Sequence, residues 1–317
     1  MSAFTSEQIS EHLKLVGLPQ RYHPSSIPAP AHDFEHLNAL FVHQISTFPY
    51  ENLSLHYPAT HTNSLDPQTL FDKLVTQGRG QGGYCLENSI FFWHVLKGLF
   101  FDAYLAGARI RARPNGVPEG DYIGWKHVVN IVTLSSGATY AVDVAFGGDG
   151  PTQPLLLSDG YTIRNLGTQE VRLIHDYIPE QLSRLPHQKL WMYQYRSNPS
   201  LSWNPFYALA ETEFFPPDFG GMNFDLSQKE DSYQRLIVLC IKFLKKEESI
   251  SGKLMLVDSV LKINTGGKTK VIATFDTEEQ RVQALQDHFA IILNREEIDG
   301  IKGLYTELPM TIHKIGK

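Results

Sequence analysis

The chain is poor in cysteine: its 317 residues include two, Cys85 and Cys240. That excludes a disulfide framework, and it excludes a zinc site built on paired thiolates. Long hydrophobic runs are missing as well. No stretch of about 18 apolar residues is present, so no spanning helix is expected. Charge of one sign is nowhere concentrated. The formal net charge is −6, and the densest basic stretch, KFLKK at 242–246, is followed at once by acidic residues. Neither nucleic acid nor an anionic membrane is therefore expected as a partner. The opening residues, MSAFTSEQISEHLKLVGLP, lack a basic start, an apolar run and a small-residue cleavage site. They read as a short capped helix rather than a signal peptide, and a cytoplasmic protein in a reducing compartment is expected. Oligomeric state is not legible.

Hydrophobic residues make up 42% of the chain, enough to bury one large core or two to three smaller ones. The first hundred residues read as helices. Thr5 and Gln8 have capping-box spacing ahead of an apolar face that runs to Gly17. Asp33 caps a second helix that ends before Pro49, and Asp66-Pro67 opens a third that stops at Gly78. A glycine-rich turn, GRGQGGYC, then leads into the apolar helix ENSIFFWHVLKGLFF. After Asp102 the segments become short and rich in valine, isoleucine and tyrosine: AYLAGARIRA, KHVVNIVTL, TYAVDVAF, EVRLIHDY and KLWMYQYRS. An α+β chain is expected: a helical bundle over 1–100 and an antiparallel β-barrel or sandwich over 101–203. The Pro/Phe/Gly-rich stretch at 204–225 reads as an interdomain crossing, and 226–317 as a unit of strands and helix with a helix capped by Asp276 or Thr277.

The chemistry centres on Cys85. Gly82 and Gly83 precede Tyr84-Cys85, and a helical pattern begins directly after. Cys85 is thus placed at a helix N-terminus, where free N–H groups and the helix dipole favour a thiolate and can receive an oxyanion. The glycines are expected to supply positive φ and close access for a substrate. The plain alternative is a buried, inert cysteine, which is the reading for Cys240 inside RLIVLCIKFL.

A cysteine nucleophile needs a base, and the base an orienting group. His127 stands at the start of KHVVNIVTL, which is joined to TYAVDVAF through Ser135-Ser136-Gly137. A three-residue loop with Gly137 left-handed pairs Leu134 with Ala138 and sets His127 opposite Ala145. Asp143 then lies diagonally across on the same face, within side-chain reach. A carboxylate inside the apolar run YAVDVAF is costly unless paired. His32 and His36 have helical spacing but no evident third ligand, and His94 reads as a core histidine. No metal is expected.

These residues are familiar as a set. PYENL at 49–53, GGYCLEN at 82–88, a histidine opening a strand at 127, and DVAFGG at 143–148 resemble the arylamine N-acetyltransferase family, whose patterns are close to P-F-E-N-L, R-G-G-x-C and D-x-G-F-G. The resemblance continues through PLLL at 154–157, the 203–223 segment and the helix near the end. It implies a helical bundle, a central β-barrel and a C-terminal α/β lid. It implies a Cys85–His127–Asp143 triad, arranged as in cysteine proteases, that moves an acyl group from acetyl-coenzyme A or another acyl-coenzyme A to an arylamine or arylhydrazine by a ping-pong route, as in xenobiotic metabolism. Phe146 resembles the aromatic lining the acceptor pocket, and Gly124 a small residue near where coenzyme A enters. Three positions depart from the family. Gln81 replaces an arginine, which leaves Glu51 in need of another partner; Ser89 stands where asparagine is common; and Ala145 replaces glycine. Rival readings are a transglutaminase-like cysteine hydrolase and a non-catalytic binding module of the same fold.

Overall fold

The computed structural model describes residues 1–26, 31–113 and 116–309. Four helices form its N-terminal part: α1 Ser6–Leu15, α2 Phe34–Thr47, α3 Pro67–Phe71 and α4 Cys85–Gly98. The sequence signals act locally as expected. Thr5 and Gln8 complete a capping box, and Asp33 and Asp66 accept the N–H of His36 and Thr69. A single π-turn, Asp72–Thr76, continues α3. Such turns widen the backbone spiral and re-aim the side chains on it. The helices meet around Phe91, which is fully buried. Its ring lies 5.2 Å from Phe4, 5.3 Å from His12 and 5.6 Å from Phe48.

The chain then builds two antiparallel sheets. A two-residue strand, β1 (Tyr50–Glu51), comes first in sequence. Next come β2 Asp102–Ala112, β3 Glu119–Thr133, β4 Thr139–Val142 and β5 Leu155–Leu156. They are followed by β6 Thr162–Arg164, β7 Glu170–Asp176, β8 Leu190–Arg196 and β9 Asn204–Glu213. These eight strands, β2 to β9, pair in the order β5-β4-β3-β2-β9-β8-β7-β6. Among the described residues the two edge strands do not pair, so the expected barrel is an open, curled half-barrel. The curl is visible in its core, where Leu155 of the first edge, Ala141, Val129, Tyr207, Tyr193 and Val171 pack in one cluster.

The segment read as an interdomain crossing is corrected by the structure. Residues 204–213 form β9, the strand between β2 and β8 near the middle of the sheet. Pro205 disguised it. The proline is accommodated where the β8–β9 register shifts, between Tyr193 and Gln194, as prolines in sheets generally require. The rest of that segment is helix α5, Pro216–Ser227, and a short helix α6 covers Tyr233–Leu236.

The C-terminal sheet contains β10 Leu239–Lys246, β11 Ser249–Val257, β12 Val260–Thr265 and β13 Lys268–Thr274. Its fifth strand is β1, paired to β10 through Tyr50–Ile241 and Glu51–Cys240. The expected N-terminal and C-terminal units therefore share a sheet. Helix α7, Glu278–Phe289, is capped by Thr277 and buries Leu285 and Phe289 against this sheet. Helix α8, Arg295–Gly300, follows. Residues 310–317 of the expected C-terminal unit lie outside the described residues. Among those described, no helix is long and apolar enough to cross a membrane.

Replacing Phe91 by alanine empties the centre of the helical core and should cost about 3–5 kcal/mol. Leu182 is 97% exposed, and its replacement by alanine should stay within about 0.5 kcal/mol. Urea unfolding midpoints of the two variants check this contrast, and equal midpoints would refute the placement of the core.

Candidate active site

Cys85 is the first residue of α4 and is buried. The turn before it is shaped by a close approach of backbone. Gly83 donates its N–H to the Pro49 carbonyl at 3.3 Å and accepts from the Glu51 N–H at 3.1 Å. A Cβ on Gly82 would sit 1.9 Å from the Pro49 oxygen, and one on Gly83 would sit 2.6 Å from the Glu87 Cβ. The expected reason for these glycines is thus corrected. Neither has a positive φ; Gly80 does, and what approaches them is the protein's own chain, Pro49 just before β1 and Glu87 of α4. Asn88 fastens the turn by donating to the Gly83 and Pro49 carbonyls at 2.7 and 3.2 Å.

The sulfur's surroundings pull in two directions. Burial, with smaller contributions from the charges of Asp143 and Glu87, pushes the Cys85 thiol up to about 12 against the opposing pull of the N–H groups of Leu86 and Cys85 itself. The helix terminus acts in the expected sense, but burial outweighs it. A thiolate therefore requires a base that takes its proton and keeps the resulting positive charge nearby. The thiol points to the Lys126 carbonyl at 3.6 Å, the residue directly before His127.

His127 and Asp143 are both buried and meet at 2.9 Å, Nε2 to Oδ2. The register that joins them follows the expected hairpin. Leu134 donates to Ala138, Thr133 pairs with Thr139 and Asn130 with Val142, and Gly137 has φ +84. One detail differs. The strand stops at Val142, because Asp143 turns its Oδ1 back to accept the Ala145 N–H at 3.1 Å. Such a side-chain turn ends the ladder and leaves Oδ2 for the histidine. Since a carboxylate only accepts, Nε2 carries the ring proton and Nδ1 is the basic atom of the neutral imidazole.

Beneath the nucleophile turn lies an ionic cluster that local sequence does not announce. Lys73, on the π-turn after α3, places its ammonium 2.9 Å from Glu87 and 3.4 Å from Glu51 and donates to Ser54 at 2.9 Å. Glu51 also accepts the Leu53 N–H at 2.6 Å, and Glu87 accepts the Tyr84 N–H at 3.1 Å. Burial works against the charge on Lys73, but the two carboxylates outweigh it and its pKa is raised; burial also raises Glu87. Lys73 is thus the partner that Glu51 lacks when Gln81 replaces arginine. Arg79, the nearest arginine in sequence, instead pairs with Glu297. The signal that could have found Lys73 was the orphaned glutamate, which demanded a cation from somewhere in the chain.

Aromatic rings pack beside His127. Phe146 lies 5.0 Å from it edge-on and Tyr207 lies 5.4 Å away, with Phe206 4.6 Å from Phe146. Gly124 is exposed, and a Cβ there would meet nothing within 4 Å. Its neighbour Trp125 lines an open depression of about 510 Å³ with Phe214, Phe215 and Met222. Helix α5 is tied over this side by Asp225, which pairs with Lys126, and by Asn223, which accepts from the Tyr84 hydroxyl. Ser89, in the place of asparagine, donates to the Val128 carbonyl at 3.0 Å and so still links α4 to the strand of His127.

Other sequence candidates fall elsewhere. His36 is buried, stacks on Tyr22 and bonds the Ala31 carbonyl. His94 accepts the Ala3 N–H, and burial lowers its pKa to about 4. Cys240 is fully buried in β10. Among the described residues no cluster of three or more His, Cys, Asp or Glu is arranged to hold a metal.

Comparison with known proteins agrees in kind with this arrangement. A family model described as N-acetyltransferase matches residues 33–298. The chain is 33% identical to the N-malonyltransferase FDB2 of Fusarium pseudograminearum over 319 residues, covering 94% of this chain and 92% of that protein. It is 37% identical to the liver isozyme of arylamine N-acetyltransferase from Gallus gallus over 132 residues, 40% of this chain and 42% of that one. In fold it is similar to the arylamine N-acetyltransferase of Mycobacterium marinum in complex with CoA, with a TM-score of 0.74 at 21% identity over 93% of this chain and 99% of that one.

The ionic cluster yields a direct test. Lys73→Met leaves two buried carboxylates without their cation and should cost about 3–5 kcal/mol at pH 7. Glu87, already raised by burial, rises further without the ammonium. A carboxyl raised in the folded state costs stability once pH exceeds its unfolded value, so the deficit should be smaller at pH 5 than at pH 7. Lys73→Arg should recover most of the loss. Urea unfolding of both variants at the two pH values checks sign and size.

Proposed function

The chain belongs to the arylamine N-acetyltransferase family, and from that premise we propose that it transfers an acyl group from an acyl-coenzyme A, through a thioester on Cys85, to the nitrogen of an aromatic amine or hydrazine. The observation that carries this reading is the buried His127–Asp143 pair on the strand against which the Cys85 thiol rests.

Each step asks something specific of the site. Burial keeps the Cys85 proton in place until a base removes it, and His127 Nδ1 is that base. The imidazolium formed is held by Asp143, so the proton transfer creates a compensated ion pair rather than two isolated charges. The thiolate attacks the thioester carbon, and the N–H groups of Cys85 and Leu86 take the oxyanion. Coenzyme A leaves with its sulfur protonated by the imidazolium, and the acyl-cysteine remains. The amine then attacks the acyl-cysteine, His127 removes the nitrogen's proton, and the product amide leaves with Cys85 restored.

The substrates have matching surfaces. A flat ring fits the edge-on wall of Phe146, Phe206 and Tyr207. The neutral pantetheine arm of coenzyme A follows the depression beside Gly124 and Trp125. Arg109, stacked 4.2 Å over Trp125, gives that route a positive rim. Acetyl, propionyl and malonyl are all candidate donor groups, and the N-malonyltransferase name of the long-matching Fusarium relative makes malonyl a donor to include. Foreign aromatic amines are the acceptor class that the family implies, in the cytoplasm.

Two measurements test this reading. Mixing the protein with acetyl-, propionyl- or malonyl-coenzyme A and no acceptor should add the acyl mass to Cys85, seen by mass spectrometry of the peptide; no adduct with any donor in folded protein would sink it. If His127 takes the proton as the sulfur reacts, iodoacetamide should alkylate Cys85 at pH 6 faster than it does a free thiol of pKa about 8.5, and about 100-fold slower in His127→Asn, where burial holds the proton on the sulfur. Asp143→Asn should lower kcat/KM by about three orders of magnitude or more while the fold, read by circular dichroism, is kept.

A further inference from the structure

Behind the aromatic wall two cations share one acid. The turn that carries Phe146 continues as Gly147–Asp149. Asp149 pairs with Arg113, and its other oxygen lies 4.0 Å from the ammonium of Lys253 on β11. Lys253 also donates to the Gly148 carbonyl. Among the described residues Asp149 is the carboxylate within ion-pair distance of both. With all three groups ionised, the cluster holds one surplus positive charge.

That charge is withdrawn from water. The Lys253 side chain is 10% exposed. Burial and Arg113 lower its pKa, and Asp149 only partly offsets them. A buried ammonium facing a like charge is unfavourable and is relieved by an anion. An ammonium has three donors, and the Gly148 carbonyl occupies one of them. Gly148 packs against it, and a Cβ there would touch the Lys253 nitrogen at 3.6 Å.

The cluster also adjoins the reacting end. Phe206 touches Phe146 at 4.6 Å and carries the Arg113 guanidinium 5.9 Å from its centroid. Phe146 in turn faces His127. Gly147 packs against Tyr50, where a Cβ would meet the ring at 3.5 Å, and Tyr50 bridges to Gly83 in the nucleophile turn. The positive charge therefore sits against the residues that wall the substrate space.

We propose that Lys253 and Arg113 form a subsite for a substrate carboxylate beside Phe146. Its role rests on Cys85 carrying the acyl group. The carboxylate has two possible carriers with the same chemistry: the far end of a malonyl donor, or the ring substituent of an aminobenzoate acceptor. A charge-assisted contact of this kind, which offsets the one surplus positive charge, discriminates by about tenfold or more.

The test uses near-isosteric pairs that differ by a carboxylate in place of a methyl. Cys85 acylation rates are compared for malonyl- and propionyl-coenzyme A, and amide formation for 4-aminobenzoate and 4-methylaniline, in the native chain, Lys253→Met and Arg113→Gln. In Lys253→Met one of the two carboxylate-to-methyl rate ratios should fall about tenfold or more, with a smaller fall in Arg113→Gln; the ratio that falls names the carrier. Both ratios remaining within about twofold of native in both variants would overturn the subsite. Arg113 is 39% exposed at its side chain, so its variant serves if Lys253→Met does not fold. Should no donor acylate the native chain, acyl transfer has failed on its own terms. Equilibrium binding of the same four compounds to Cys85→Ala, with and without Lys253→Met, then decides. A carboxylate preference abolished by Lys253→Met supports the subsite, and equal binding within each pair refutes it.

Discussion

The ammonium of Lys73, set between two buried carboxylates, is the constraint on which the rest of the site depends. Glu51 belongs to a strand of the C-terminal sheet, Glu87 to the helix that begins at Cys85, and Lys73 to the π-turn of a third element. One cation thus ties three separate pieces of chain together. Each carboxylate spends its second oxygen on a backbone N–H at the turn, Leu53 or Tyr84, so the ion pair is transmitted to the backbone on both sides of Gly83. Buried ion pairs contribute little net stability against an apolar replacement, yet losing one partner is severe. The cluster is better understood as a device that fixes geometry.

On that footing the half-barrel supplies the second half of the candidate site. Its hairpin register sets Asp143 diagonal to His127, and the early end of β4 frees the carboxylate to turn in two directions at once. The same curled face brings Tyr207 and Phe206 from β9 against Phe146. His127 and the aromatic rings are therefore products of one sheet, which makes their relative position stiff. Stiffness is what an acyl-transfer site needs, since an ångström of misplacement is expensive in rate.

What was legible in the sequence was mostly what is decided locally. Thr5, Asp33, Asp66 and Thr277 each cap the helix that their spacing announces, because a cap involves three or four residues and little else. Gly137 fixed a loop length, and a loop length fixes a register. The illegible parts are those decided by distant chain. Lys73 reads as an ordinary helix-surface lysine until its two partners are known. Strand β1 is two residues long and exists because β10 offers an edge. Strand β9 carries Pro205 and ends in Glu-Thr-Glu, a pattern of loops, and only pairing on both sides overrides it. Arg113 and Lys253 lie far apart in sequence and meet through two sheets, so no spacing rule connects them.

The pairing of Tyr50–Glu51 with Cys240–Ile241 has a consequence for the order of events in synthesis. A ribosome releases the chain from its N-terminus, so Cys85 emerges long before β10 does. Until β10 arrives, the edge that aligns β1, and through β1 the Gly82-Gly83 turn, is missing. The nascent polypeptide accordingly carries Cys85 without its carved setting through the synthesis of the whole half-barrel. The turn around Cys85 is thus completed by a segment synthesised long after the cysteine itself.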